Sequence, residues 1–128
     1  MSSPDYVDQI WHGNLLSGVA GTNQTLDWMA ALVRRDAGNF QLREFALNII
    51  SECNGHDFSC EVEKLFECAR DKITYRRDPV HVEWVQDAKR TLFVFGYGDC
   101  DDKVVALATL LATVGHRPRF VVLGPTRE

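Results

Sequence analysis

The sequence predicts a mostly α-helical domain, and three observations carry that reading. Four stretches repeat apolar residues at helical spacing, three between residues 22 and 75 and the fourth from Asp99 to about Val114. Gly or Asn-Gly stands where three of these stretches stop, as helix ends prefer. Only one segment, Arg119-Phe120-Val121-Val122-Leu123, has the β-branched run of a buried strand. The 128 residues suit a single domain: a helical N-terminal bundle, a buried cysteine-bearing helix and one strand.

Residues 1–21 form an N-terminal arm. Tyr6, Val7, Ile10 and Trp11 have helical spacing, but Gly13, Gly18 and Gly21 are expected to break any regular element. The first helix, about 23–35, presents Leu26, Met29, Ala30 and Val33, with Thr22 or Asn23 as cap and Gly38 beyond its end. A second, about 41–53, carries Leu42, Phe45, Ala46, Ile49, Ile50 and Cys53 before Asn54-Gly55. The third, about 59–72, has Ser59 as cap and Val62, Leu65, Phe66, Ala69 and Ile73 on its inner face. Each stripe needs a partner, because a lone amphipathic helix leaves its apolar face wet.

Pro79 biases Asp78 away from helix and ends this run. Residues 76–98 read as irregular, with Trp84, Phe93 and Phe95 as core or cover. After the turn at Gly96-Tyr97-Gly98 the fourth helix places Val104, Leu107, Ala108, Leu111 and Val114 on one face, and Gly115 stops it.

Composition narrows the function classes. The chain is 45% hydrophobic and 25% charged, as ordinary globular proteins are. A net charge of −4 lacks the basic face that phosphate binding needs, so nucleic acid is not an expected partner. No run approaches 18 apolar residues, so no membrane span is expected. The start Met-Ser-Ser-Pro-Asp lacks the pattern of a signal peptide, which makes the reducing cytoplasm the expected compartment. Four cysteines there read as free thiols.

Chemistry concentrates at Gly96-Tyr97-Gly98-Asp99-Cys100-Asp101-Asp102-Lys103. Cys100 falls at the first position of the fourth helix, where unpaired amides favour a thiolate and hence a nucleophile. The surrounding aspartates oppose that charge. They also have a structural use, with Asp99 as N-cap and Asp102 completing a capping box. Two groups of residues have metal-binding atoms, and neither has the spacing of a metal site. Cys53, His56, Cys60 and Cys68 have zinc-binding atoms but no recognised spacing. Asp99, Asp101, Asp102 and Glu83 lack the loop that a hard cation needs. Arg34-Arg35 and Arg76-Arg77 read as solvated helix ends.

The run from Gly98 to Lys103, the helix through Leu110-Leu111 and then Gly115-His116-Arg117-Pro118-Arg119-Phe120-Val121 resembles the nucleophile segment of the transglutaminase-like superfamily. The Asp-Cys-Asp-Asp form, after Ile73-Thr-Tyr-Arg-Arg-Asp-Pro79, is similar to members from bacteriophage and prophage genomes. The likeness spans about 100 residues and is strongest from Gly98 to Val121. It implies a papain-type α+β fold, here truncated to its helical half, with Cys100 as nucleophile and no cofactor. Family catalysis also uses a histidine and then an aspartate on later strands. The sole histidine after Cys100, His116, stands in a turn where the family has no catalytic group. The resemblance thus implies a non-catalytic structural or interaction component, in the bacterial host cytoplasm or a phage particle. The alternative is a fragment or subunit of a thiol acyltransferase or cysteine peptidase. A protein partner or a second copy is expected on the strand edge Arg119, Phe120, Val121, Val122 and Leu123, since no second strand is evident to receive it.

Overall fold

Apolar stripes escape water only by covering one another, and here they do so around the most apolar helix of the chain. The computed structural model describes residues 11–13, 18–77 and 83–122. In order they form β1 (Trp11–Gly13), α1 (Gly18–Asp36), α2 (Phe40–Ile49), α3 (Phe58–Lys72), β2 (Thr74–Tyr75), β3 (Glu83–Val85), a π-helical turn (Arg90–Phe95), β4 (Tyr97–Gly98) and α4 (Cys100–Thr113). The protein is mostly α, as its periodicity predicts.

Helix α4 packs against α1, α2 and α3 and divides the core in two. On one side Trp28, Met29, Leu32 and Val33 of α1 meet Val85, Val105 and Ala108. On the other, Leu42, Ala46, Leu65, Ala69 and Ile73 close over Ala88, Ala106 and Leu110. Leu32, Leu42, Leu65 and Leu110 are fully buried, each worth about 1.5–3 kcal/mol of apolar transfer. Two short strand pairs frame the bundle. β1 runs antiparallel to β3, with Trp11 opposite Val85, and β2 runs parallel to β4, with Thr74 opposite Tyr97.

Several expectations need correction. Residues 119–122 form no strand, and Leu123 lies outside the described residues. A β-branched run becomes a strand only with a ladder beside it, and Phe120 packs instead against the α1 side of the core. An Arg119–Leu123 edge for strand addition therefore has no ladder to extend. Gly18 and Gly21 lie inside α1 rather than breaking it, since burial of that helix outweighs the roughly 1 kcal/mol that each glycine costs. The cap of α3 is Asp57, whose carboxylate accepts from Cys60 N–H, and not Ser59.

The buried faces also differ from those expected. In α3, Leu65, Cys68 and Ala69 turn inward while Val62 and Phe66 are exposed. In α4 the buried face carries Val105, Ala106, Thr109, Leu110 and Thr113, and Val104 is exposed. α4 is apolar nearly all round, so periodicity alone does not select a face. Its threonines enter the core by donating to their own helix, Thr109 to Val105 O and Thr113 to Leu110 O, both at 2.7 Å.

The stretch expected to be irregular contains β3, β4 and the π-helical turn, which Gly96 closes in a left-handed conformation at φ 73°. Arg35 is no solvated helix end. Its guanidinium donates to Asp36 Oδ1 at 2.7 Å, to Asp36 Oδ2 at 2.6 Å and to Asp87 Oδ2 at 2.8 Å. Partial burial disfavours its charge, but these two carboxylates outweigh that and raise its pKa above the ordinary arginine value. Asp87 also accepts from Arg90 N–H at 2.9 Å and Arg90 Nη1 at 2.8 Å. Replacing Asp87 by Ala leaves Arg90 without its carboxylate and Arg35 with Asp36 alone, and should cost about 2 kcal/mol in urea unfolding. An effect below about 1 kcal/mol would mean that the cluster is solvated.

Candidate functional site

The first turn of α4 is built from interlocking carboxylates. Asp99 is its N-cap in extended conformation and accepts from Asp102 N–H at 3.1 Å. Asp102 reciprocates, with Oδ2 accepting from Asp99 N–H at 3.1 Å, which completes the capping box. The other oxygen of Asp102 accepts from Gln86 N–H at 2.8 Å, so one carboxylate joins the helix start to the chain after β3. The amide of Gln86 in turn donates to Thr91 Oγ1 and to Tyr97 O, both at 3.1 Å. The Thr91 hydroxyl donates a hydrogen bond to Asp87 O at 3.0 Å. These groups are buried and mutually satisfied, so the turn is rigid.

Gly98 is required by close approach. A Cβ there would lie 2.6 Å from Asp102 Cβ and 2.8 Å from its Oδ2.

Cys100 is the first residue of α4 and is exposed. Its thiol pKa is pushed above the ordinary cysteine value, by partial desolvation first and then by the charges of Asp101 and Asp99. Hydrogen bonds from the backbone at the helix start act the other way and are outweighed. Its sulfur lies 4.0 Å from Asp101 Oδ1. The geometry presents a reachable thiol in its protonated form.

Neither His56 nor His116 stands against Cys100, since both rings meet Phe58 at the start of α3. His116 lies past the opposite end of α4, on the order of 20 Å along the helix axis. There its Nε2 pairs with Glu61 Oε1 at 2.8 Å, and its ring meets Phe58 edge-on at 5.6 Å. His56 is exposed in the turn before α3 with φ 65°. His12 lies in β1, and His81 is outside the described residues.

The cysteines depart from the expected free thiols. Cys53 and Cys60 form a disulfide, which removes two ligands from the zinc quartet weighed above. Cys68 is free and buried, and desolvation raises its thiol pKa. Among the described residues no three His, Cys, Asp or Glu side chains converge as a metal site, and no helix is long and apolar enough to cross a membrane. Gln86 and Asp87 escaped the sequence reading, although an aspartate three residues before a helical amide is a recognisable cap. The link from Gln86 to Asp102 has no local signature, since 16 residues separate them.

No family model, curated protein or solved structure matches the chain.

This geometry sets three measurable outcomes. Gly98→Ala forces Asp102 to move and should destabilise the protein by about 1–3 kcal/mol in urea unfolding. A wild-type midpoint would show that the box has room to yield. Asp101→Asn removes a negative charge beside the sulfur, which lowers the thiol pKa and increases the thiolate fraction at pH 8. Iodoacetamide labelling of Cys100 should then accelerate about threefold, as read by mass spectrometry. In the wild type its rate should still climb above pH 9, because the thiol pKa is raised.

Proposed function

We propose that this chain is a transglutaminase-like domain acting as a structural or interaction component, with Cys100 kept as a resting thiol. The observation that carries this reading is the electrostatic setting of Cys100. Partial desolvation, and then the charges of Asp101 and Asp99, keep its thiol protonated, while His116 is engaged with Glu61 at the far end of the helix. A thiol nucleophile needs a base within hydrogen-bond reach and a third group to orient that base. Around Cys100 the described side chains supply acids instead.

The interaction role falls to residues 119–122. Val121 and Val122 are exposed and follow Phe120, which with Leu26, Ala30 and Val33 and the charged Asp27, Arg34 and Arg119 lines an open cavity of about 380 Å³. A protein partner or a second copy would dock here through side-chain packing. The likeness to bacteriophage and prophage proteins suggests virion association or assembly as the setting.

One observation favours the second reading, a thiol acyltransferase or cysteine peptidase. Cys100 is reachable at the first position of a helix whose body is buried and rigidly capped. In that role a base from outside the described residues takes the thiol proton. The sulfur then attacks an amide carbonyl, the amine leaves, and water or another amine resolves the thioester.

Incubation with p-nitrophenyl acetate separates the two. The first reading expects at most one acyl group per chain on Cys100, formed at the rate of an ordinary protonated thiol, with no turnover. Sustained turnover that disappears in Cys100→Ser would replace it with the second.

A further inference from the structure

The connection between α2 and α3 carries a second sulfur centre that the functional reading does not use. Cys53 follows the end of α2, its N–H donating to Ile50 O at 2.9 Å, and Cys60 sits in the first turn of α3. The disulfide between them spans only seven residues of sequence. Both cysteines are half-buried, and residues 54–59 between them are exposed.

This turn also holds the far end of α4. Glu61, directly after Cys60, pairs with His116 Nε2 at 2.8 Å. Phe58, two residues before it, meets the same imidazole at 5.6 Å, and His56 meets Phe58 at 6.1 Å. His116 N–H closes the last turn of α4 on Leu111 O at 3.0 Å. The segment 116–122, which follows α4, therefore starts from a residue clamped by both flanks of Cys60.

We propose that the Cys53–Cys60 disulfide is a redox latch: a dithiol reductant opens it and thereby loosens the clamp on His116. The core does not need the bond, because Leu42 and Ala46 of α2 already pack with Leu65 and Ala69 of α3. A short closed loop also restrains the unfolded chain less than a long one, so the bond adds comparatively little to folding. Its position makes it a control point.

The exchange balances in two steps. A donor thiolate attacks Cys53 Sγ, the S–S bond breaks, and Cys60 leaves as the thiolate and takes up a proton. Attack at Cys53 makes Cys60 the leaving group, and the helix start that bears it keeps its sulfur half-exposed to solvent protons. The donor's second thiolate then displaces Cys53 from the mixed disulfide, and Cys53 is protonated. The donor becomes a disulfide and the protein gains two electrons and two protons.

Hydrogen exchange of the full chain, with and without dithiothreitol, tests this. Reduction should accelerate exchange at Val114, Gly115 and His116 about tenfold and leave the amides of Ala106–Leu110 unchanged. The Cys53→Ser/Cys60→Ser variant should show the fast pattern without reductant, and Glu61→Ala should show it even when oxidised. Acceleration confined to residues 53–60, or spread evenly along α4, would overturn the latch. So would slow exchange at His116 in Glu61→Ala, or four titratable thiols in the unreduced, denatured protein.

Discussion

The constraint on which the structure depends is the burial of α4 on three sides at once. Val105 and Ala108 belong to one half of the core, Ala106 and Leu110 to the other, and each half contains helices that do not otherwise cover their stripes. A helix packed in that way has only a narrow solvated edge at Cys100 and Val104, and its start is set by specific bonds. The reciprocal Asp99–Asp102 box does this, and the Gln86 N–H fixes the remaining Asp102 oxygen. Two negative charges near the amide end of a helix are also favourable to its dipole. One of these charges, Asp99, both caps the helix and, with Asp101, opposes the thiolate of Cys100.

That conflict explains why the cysteine's position is ambiguous when read locally. The helix N-terminus lowers a thiol pKa and flanking carboxylates raise it, and both act within one turn. Desolvation is the largest contribution to the outcome, and the carboxylates add to it. The Gly98 approach to Asp102 tightens this surrounding, since only a residue without Cβ lets the strand pass so close.

A second polar centre, around Asp87, ties α1 to the π-helical turn. Arg35 and Arg90 come from segments far apart in sequence and meet on one carboxylate. Such a buried cluster is stabilising only while every member is satisfied, which makes it a device for holding α1 in one orientation rather than a source of net stability. The disulfide plays a comparable local part at the α2–α3 turn, and it sits beside the Glu61–His116 pair that anchors the opposite end of α4.

The sequence by itself determined the mostly α class, the four long helices to within a few residues except for the earlier start of α1, and the pattern of a capping box at Asp99 and Asp102. These depend on spacing and on groups three or four residues apart, which any linear reading contains. Tertiary structure decided the rest. It chose the buried face of α4, because an almost uniformly apolar helix has no preferred side until neighbours arrive. It left residues 119–122 without a ladder, because β-branched side chains make a strand only beside another. It joined Cys53 to Cys60, buried Arg35 against Asp87 and placed Gln86 on Asp102, since contacts between separate segments are set by packing and not by spacing along the chain.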